Sequence, residues 1–252
     1  MSEPAPAPAP ARLRCLITGG SRNLGRAIGL ALARRGARVA FTWSRRAEDA
    51  LETTRLLTAA GADPQSFQGS VEDAAHAEAT VRALAADWGG LDVLVNAAGI
   101  NQLLPLALLE EADWDRMMAV NVKGAFLFSR AALRHMIRAR RGHILNVGSF
   151  AGERMVPAPV HYAASKAALR GFTEATAREV GRYGVQVNLL VPGLLEEGLA
   201  QRLPAHRLQD YREQSALGRL GGLEEVAEWA AWAVSGENTL MTGARLVLDG
   251  GL

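Results

Sequence analysis

The chain has 252 residues, 49% of them hydrophobic and 21% charged, ordinary usage for a soluble protein and enough for one large α/β domain with a sizeable core. Twenty-eight Lys and Arg against 26 Asp and Glu leave a net charge of +2, scattered without the basic block of a nucleic-acid partner, and no stretch nears the roughly 18 apolar residues of a membrane span. The single Cys15 cannot close an internal disulfide, which suits a reducing, cytoplasmic setting.

Residues 1–11 alternate Pro and Ala with no basic start or apolar h-region. They read as a disordered, extended tail ahead of a single domain over 12–252. From Leu13 onward, short apolar runs at 13–18, 39–42, 93–96, 144–147, 185–190 and 246–248 read as strands buried on both faces, with a weaker candidate at 64–68. Between them, apolar residues spaced three and four apart predict helices over 24–35, 47–60, 74–87, 114–137, 162–183 and 223–234. Strands alternating with helices predict a Rossmann-type, doubly wound parallel sheet. The segment 194–219 has no clear period and reads either as a lid or binding loop or as a helical hairpin that only packs.

Directly after the first strand come Thr18, Gly19, Gly20, Ser21, Arg22, Asn23, Leu24 and Gly25, then a helix. A glycine turn at a helix N-terminus presents free N–H groups and the positive end of the helix dipole to a phosphate. The second strand ends without the acidic residue that would hold a ribose 2′-hydroxyl. It runs instead into Arg45 and Arg46, which either pair with a 2′-phosphate and favour NADPH or cap a solvated helix. Arg22, in the turn, would add a second positive contact.

Tyr162 and Lys166 stand four apart on one predicted helix face. An ammonium beside a tyrosine favours the phenolate and brings its proton nearer to use at neutral pH. The pair alone is a common helical coincidence, but Ser149 ends another strand, where open parallel sheets place their ligands. Asn96-Ala97-Ala98-Gly99 ends a further strand, and Asn121 sits among apolar neighbours, where a polar side chain needs partners.

In this order, the glycine turn, Asn-Ala-Ala-Gly, Ser149, Tyr162-x-x-x-Lys166, Pro192-Gly193 and the ending Leu248-Asp249-Gly250-Gly251 resemble the short-chain dehydrogenase/reductase family over 13–252. The resemblance implies a tetrad of Asn121, Ser149, Tyr162 and Lys166. In it Ser149 polarises a carbonyl, Tyr162 protonates its oxygen, Lys166 holds the nicotinamide ribose and depresses the tyrosine pKa, and Asn121 anchors a relay water. It also implies cofactor contacts from Gly19, Ser21, Arg22, Asn23, Leu24, Gly25, Arg45, Arg46, Ser70, Val71, Asn96, Ala97, Gly99, Tyr162, Lys166, Pro192, Gly193 and Leu195, and it implies no metal.

Three positions depart from the family pattern. Asn23 stands where glycine is usual, and Asn tolerates a left-handed backbone. Ser70 replaces an Asp that contacts adenine. Glu197 replaces a Thr at the nicotinamide carboxamide and either accepts from that amide or points to solvent. Within the family the nearest resemblance is to 3-oxoacyl-[acyl-carrier-protein] reductases and polyketide ketoreductases, through 216–221 and 241–251. An acidic carrier protein is then expected on Arg140 with Arg138, Arg141 and Arg182, although these arginines equally suit a helix C-terminus. A homotetramer is expected through the helices bearing Phe126, Phe128 and Leu169, whose apolar faces equally suit a monomer's own core. The alternatives are a reductase or dehydrogenase of a free small alcohol, sugar or cyclic ketone, and a nucleotide-binding regulator without turnover.

Overall fold

The computed structural model describes residues 12–198 and 203–252; the expected N-terminal tail over 1–11 lies outside them. Seven strands, β1 (Arg14–Thr18), β2 (Arg38–Trp43), β3 (Gln65–Gln68), β4 (Val93–Asn96), β5 (Gly142–Val147), β6 (Val185–Pro192) and β7 (Arg245–Leu248), form one parallel sheet in the order β3-β2-β1-β4-β5-β6-β7. The order reverses between β1 and β4. That switch point opens a crevice at the carboxyl ends of the strands, where ligands bind in such sheets.

Alternation along β1 explains how one apolar run serves two layers. Cys15 and Ile17 point to one face, in register with Val93 and Val95 of β4, and pack with Val39, Ile28 and Leu32. That face is covered by α1 (Asn23–Arg34), α2 (Ala47–Ala59) and α8 (Leu223–Ala233). Leu16 points to the other face, against Val81, Leu84 and Phe128 of α3 (Ala74–Trp88) and α5 (Gly124–Ala139), with α6 (Val160–Val180) alongside. Cys15 is fully buried, and burial pushes its thiol far above its usual pKa. It is a small core hydrophobe.

The weak candidate at 64–68 is the edge strand β3, whose half-buried and exposed residues alternate. The helix expected over 114–137 is not one α-helix. It divides into α4 (Glu111–Met118), a π-helical turn at Ala119–Lys123 and α5, and the wide turn carries Asn121. Within 194–219 the described residues form α7 (Ala205–Gln214). Its Tyr211 packs edge-on to Phe150 at 5.9 Å and donates from its hydroxyl to the Pro157 carbonyl at 3.3 Å.

Asn96, at the end of β4, ties the layers together. Its Nδ2 donates to Asn146 Oδ1 of β5 at 2.8 Å and to Ser129 Oγ of α5 at 3.0 Å, and Asn146 Nδ2 donates to Thr173 Oγ1 of α6 at 2.9 Å. All four side chains are buried. Asn96→Ala strands two buried partners, each worth on the order of 1 kcal/mol or more. Thermal unfolding is expected to come roughly 5–10 °C earlier for a domain of this size; an unchanged midpoint contradicts this role.

Candidate active site

The glycine turn is shaped by its neighbours before any ligand arrives. Gly19 has φ 66°, and a Cβ there would lie 2.7 Å from the Ala98 Cα. Its N–H donates to Thr42 Oγ1 at 3.2 Å and the Gly20 N–H to the Thr42 carbonyl at 3.1 Å. The Gly19 N–H thus holds the turn to β2. The Ser21 carbonyl receives Arg26 and Thr53 Oγ1, the latter at 2.7 Å. Asn23 takes the left-handed backbone its side chain tolerates, φ 47°. Gly25 is obligatory, since a Cβ would sit 2.5 Å from the Gly19 carbonyl oxygen.

Helix α1 begins at Asn23 with no side-chain cap from Arg22 and no acidic residue in its first turn. The N–H groups of Asn23, Leu24 and Gly25 therefore have no intrahelical acceptor and face the crevice end of the sheet. Around them, Arg22, Arg45 and Arg46 are exposed. Arg46 reaches Asp49 at 3.9 Å, whereas Arg22 and Arg45 have no carboxylate partner among the described residues. Arg22, Asn23, Arg46 and Glu197 line a cleft of about 480 Å³. Glu197 is thus exposed beside the glycine turn, and Gly198 lies against the Asn23 amide.

Several residues expected at the cofactor make contacts within the chain. The Asn96 side chain belongs to the buried network above and does not line the crevice. The Ser70 hydroxyl donates to Glu72 Oε2 at 2.8 Å, and Val71 packs its side chain on Gly124. The Ala97 N–H turns back to the Val95 carbonyl. Pro192 closes β6; Gly193 donates to Leu248 O at 2.9 Å and has no room for a Cβ beside Asp249. Leu195 bridges to Gly221.

Ser149, Tyr162 and Lys166 come together where β5 ends and α6 begins. Ser149 Oγ accepts the Ala151 N–H at 3.2 Å, which leaves its own proton available for donation. Burial raises the Tyr162 pKa above the usual tyrosine value, and the nearby Ser149 hydroxyl pulls it back. The depression expected from Lys166 is not what dominates. The ammonium lies 5.8 Å from the Tyr162 ring centroid and donates to the Val147 carbonyl at 2.8 Å. Burial brings Lys166 down to about 8.

Asn121 clamps this centre to the β4 loop. Its Oδ1 accepts the Ile100 N–H at 2.8 Å, and its Nδ2 donates to Ile100 O at 3.1 Å and to Ser165 Oγ at 2.9 Å. A Cβ on Gly99 would fall 3.4 Å from Asn121 Oδ1 and 3.6 Å from Lys166 Nζ. The Asn121 side chain is thereby committed to protein partners.

Most of the chain matches relatives of known type. The family model described as enoyl-(acyl carrier protein) reductase matches residues 19–252. The 3-oxoacyl-[acyl-carrier-protein] reductase FabG of Escherichia coli is 34% identical over 237 residues, 94% of this chain and 96% of that protein. The FabG of Vibrio cholerae is 35% identical over the same share. A short-chain dehydrogenase/reductase structure from Serratia marcescens superposes with a TM-score of 0.89 at 36% identity, covering 96% of this chain and 99% of that one. The chain belongs to the short-chain dehydrogenase/reductase family. It is an oxidoreductase acting on ketone or alcohol groups.

In this short-chain dehydrogenase/reductase the expected carrier patch is not beside the tetrad. Arg138, Arg140 and Arg141 lie where β5 begins, and Arg182 precedes β6. Ser149 follows the other end of the six-residue β5, roughly 20 Å away at the strand rise per residue. Arg140 donates to the Arg182 carbonyl at 3.0 Å, and Arg141 pairs with Asp92 at 3.2 Å. Of the apolar residues expected to join subunits, Phe128 and Leu169 are buried in this chain's own core and Phe126 alone is exposed. No helix among the described residues is long and apolar enough to cross a membrane.

Proposed function

We propose that this protein reduces the ketone of a β-ketoacyl thioester to a secondary alcohol with NADPH, acting on substrates carried by an acyl carrier protein in fatty-acid or polyketide synthesis. The observation that carries the reading is the convergence of two O–H donors, Ser149 and Tyr162, beside the buried Lys166 ammonium. As a carbonyl is reduced, negative charge grows on its oxygen. Two preorganised donors stabilise that charge more in the transition state than in the ground state. Burial keeps the Tyr162 phenol protonated near neutral pH, the state an acid needs before it can give a proton to the new alkoxide.

The cofactor site fits a dinucleotide phosphate. The uncapped N–H groups of Asn23, Leu24 and Gly25 suit the pyrophosphate, Arg22 and Arg45 suit the 2′-phosphate, and Lys166 has donors left beyond Val147 for ribose hydroxyls. When bound, reduced nicotinamide supplies the hydride. Each charge-assisted contact to the 2′-phosphate is worth about 1.5–3 kcal/mol. Arg45→Gln is expected to raise the KM for NADPH roughly tenfold or more and to leave that for NADH unchanged. Equal effects on the two cofactors contradict this assignment.

The carrier-tethered substrate rests on the named relatives. An exposed Phe126, with Arg130 over its ring at 5.4 Å, supports association through α5 into an oligomer. A second reading, reduction of an enoyl thioester, is favoured by the description of the matching family model. The experiment that separates carrier from free substrate compares a β-ketoacyl carrier protein with its free thioester and free ketone. A kcat/KM at least tenfold higher for the carrier form is expected; no preference removes the carrier from the proposal.

A further inference from the structure

A second cleft, of about 350 Å³, opens at the end of the sheet opposite the tetrad. Arg14 and Arg38 are the first residues of β1 and β2, and His143 is the second of β5. Four guanidinium groups line it, those of Arg12, Arg14, Arg38 and Arg141, against the single lining carboxylate of Asp92. Arg14 grips Asp92 with Nε at 2.7 Å and Nη2 at 2.8 Å, and Arg141 reaches the same carboxylate at 3.2 Å. Arg38 lies over the Trp88 ring at 4.9 Å and pairs with Asp87 at 3.6 Å. Arg12 is exposed and has no carboxylate partner among the described residues.

The charge is therefore only partly compensated inside the cleft, four guanidinium groups facing one lining carboxylate. Trp88 is 7% exposed, yet its indole N–H has no acceptor, and His143 Nδ1 has no partner. Guanidinium groups in fixed positions match the oxygens of phosphates and carboxylates, and several of them around one compact cleft suit the multiply charged phosphate class.

We propose that this cleft is a second ligand site, for a compact polyanion of the phosphate class carrying two or more charges and distinct from the dinucleotide crevice. The length of β1 separates the two, so the ligand acts as an effector or anchor and not as substrate. The test is titration of the full chain with inorganic pyrophosphate at low salt, followed by tryptophan fluorescence and by calorimetry, with sulfate at equal ionic strength as the control.

Saturable binding is expected that sulfate does not reproduce, weakened at least tenfold in Arg12→Glu and in Arg38→Gln and unchanged in the presence of saturating NADPH. The Trp88→Phe variant is expected to lose the fluorescence response. Arg12 is exposed, and Arg12→Glu is expected to keep its reductase rate, which shows that it has folded. Binding displaced by saturating NADPH but kept in Arg12→Glu would place pyrophosphate on the cofactor turn and overturn the proposal. The same follows if no saturable binding occurs or if a carrier protein binds the cleft where pyrophosphate does not.

Discussion

Tyr162→Phe is expected to lower kcat/KM for carbonyl reduction by about 10²–10⁴-fold, the range set by loss of a positioned general acid. The ring remains, so packing at the start of α6 and cofactor affinity stay close to those of the parent. Ser149→Ala is expected to cost less, about 10²-fold, because it removes one donor to the developing oxyanion and leaves the proton source in place. Steady-state kinetics with cofactor binding measured separately checks both. A full rate in Tyr162→Phe would assign the proton to another group.

Lys166→Met is expected to abolish most activity yet stabilise the cofactor-free protein. Burial lowers Lys166 from its usual 10.5 to about 8, so at pH 7 the folded chain holds a buried ammonium at a cost of about 3 kcal/mol. The bond to Val147 O returns about 1 kcal/mol, leaving the Met variant about 2 kcal/mol more stable. The sign follows from proton counts: between about pH 8 and 10.5 the unfolded chain binds the proton that the folded chain has released, so parental stability rises with pH through that window. The gap between parent and variant should close there in urea unfolding. A variant less stable at pH 7, with a gap independent of pH, would contradict the charge penalty.

Much of this centre is legible in the sequence because its chemistry sits at strand ends, which apolar runs mark clearly. β1, β4, β5 and β6 are buried on both faces, so each reads as an unbroken run, and the residue after it falls at the crevice. Asn23 was also predictable, since few residues other than glycine accept φ 47°. What escaped were properties of packing. Asn96 ends a strand just as Ser149 follows one, but its side chain turns toward α5 and into a hydrogen-bonded layer that spacing does not reveal. Thr42 holds the glycine turn from a neighbouring strand, a contact set by register between β1 and β2. The π-helical turn at Asn121 breaks a smooth helical period without altering it enough to see. The arginines at 138–141 are adjacent in sequence to β5, yet belong to its opposite end from Ser149.

The central claim is that Tyr162 and Ser149 serve a carbonyl and not a carbon–carbon double bond. It is tested most directly by offering the enzyme reduced NADPH deuterated at the transferred position together with a β-ketoacyl thioester and, separately, a 2-enoyl thioester. Product mass and NMR then report where the label goes. The prediction is a 3-hydroxyacyl product with one deuterium on the carbinol carbon, formed from the keto substrate and lost in Tyr162→Phe. Saturation of the enoyl thioester with no turnover of the ketone would contradict it.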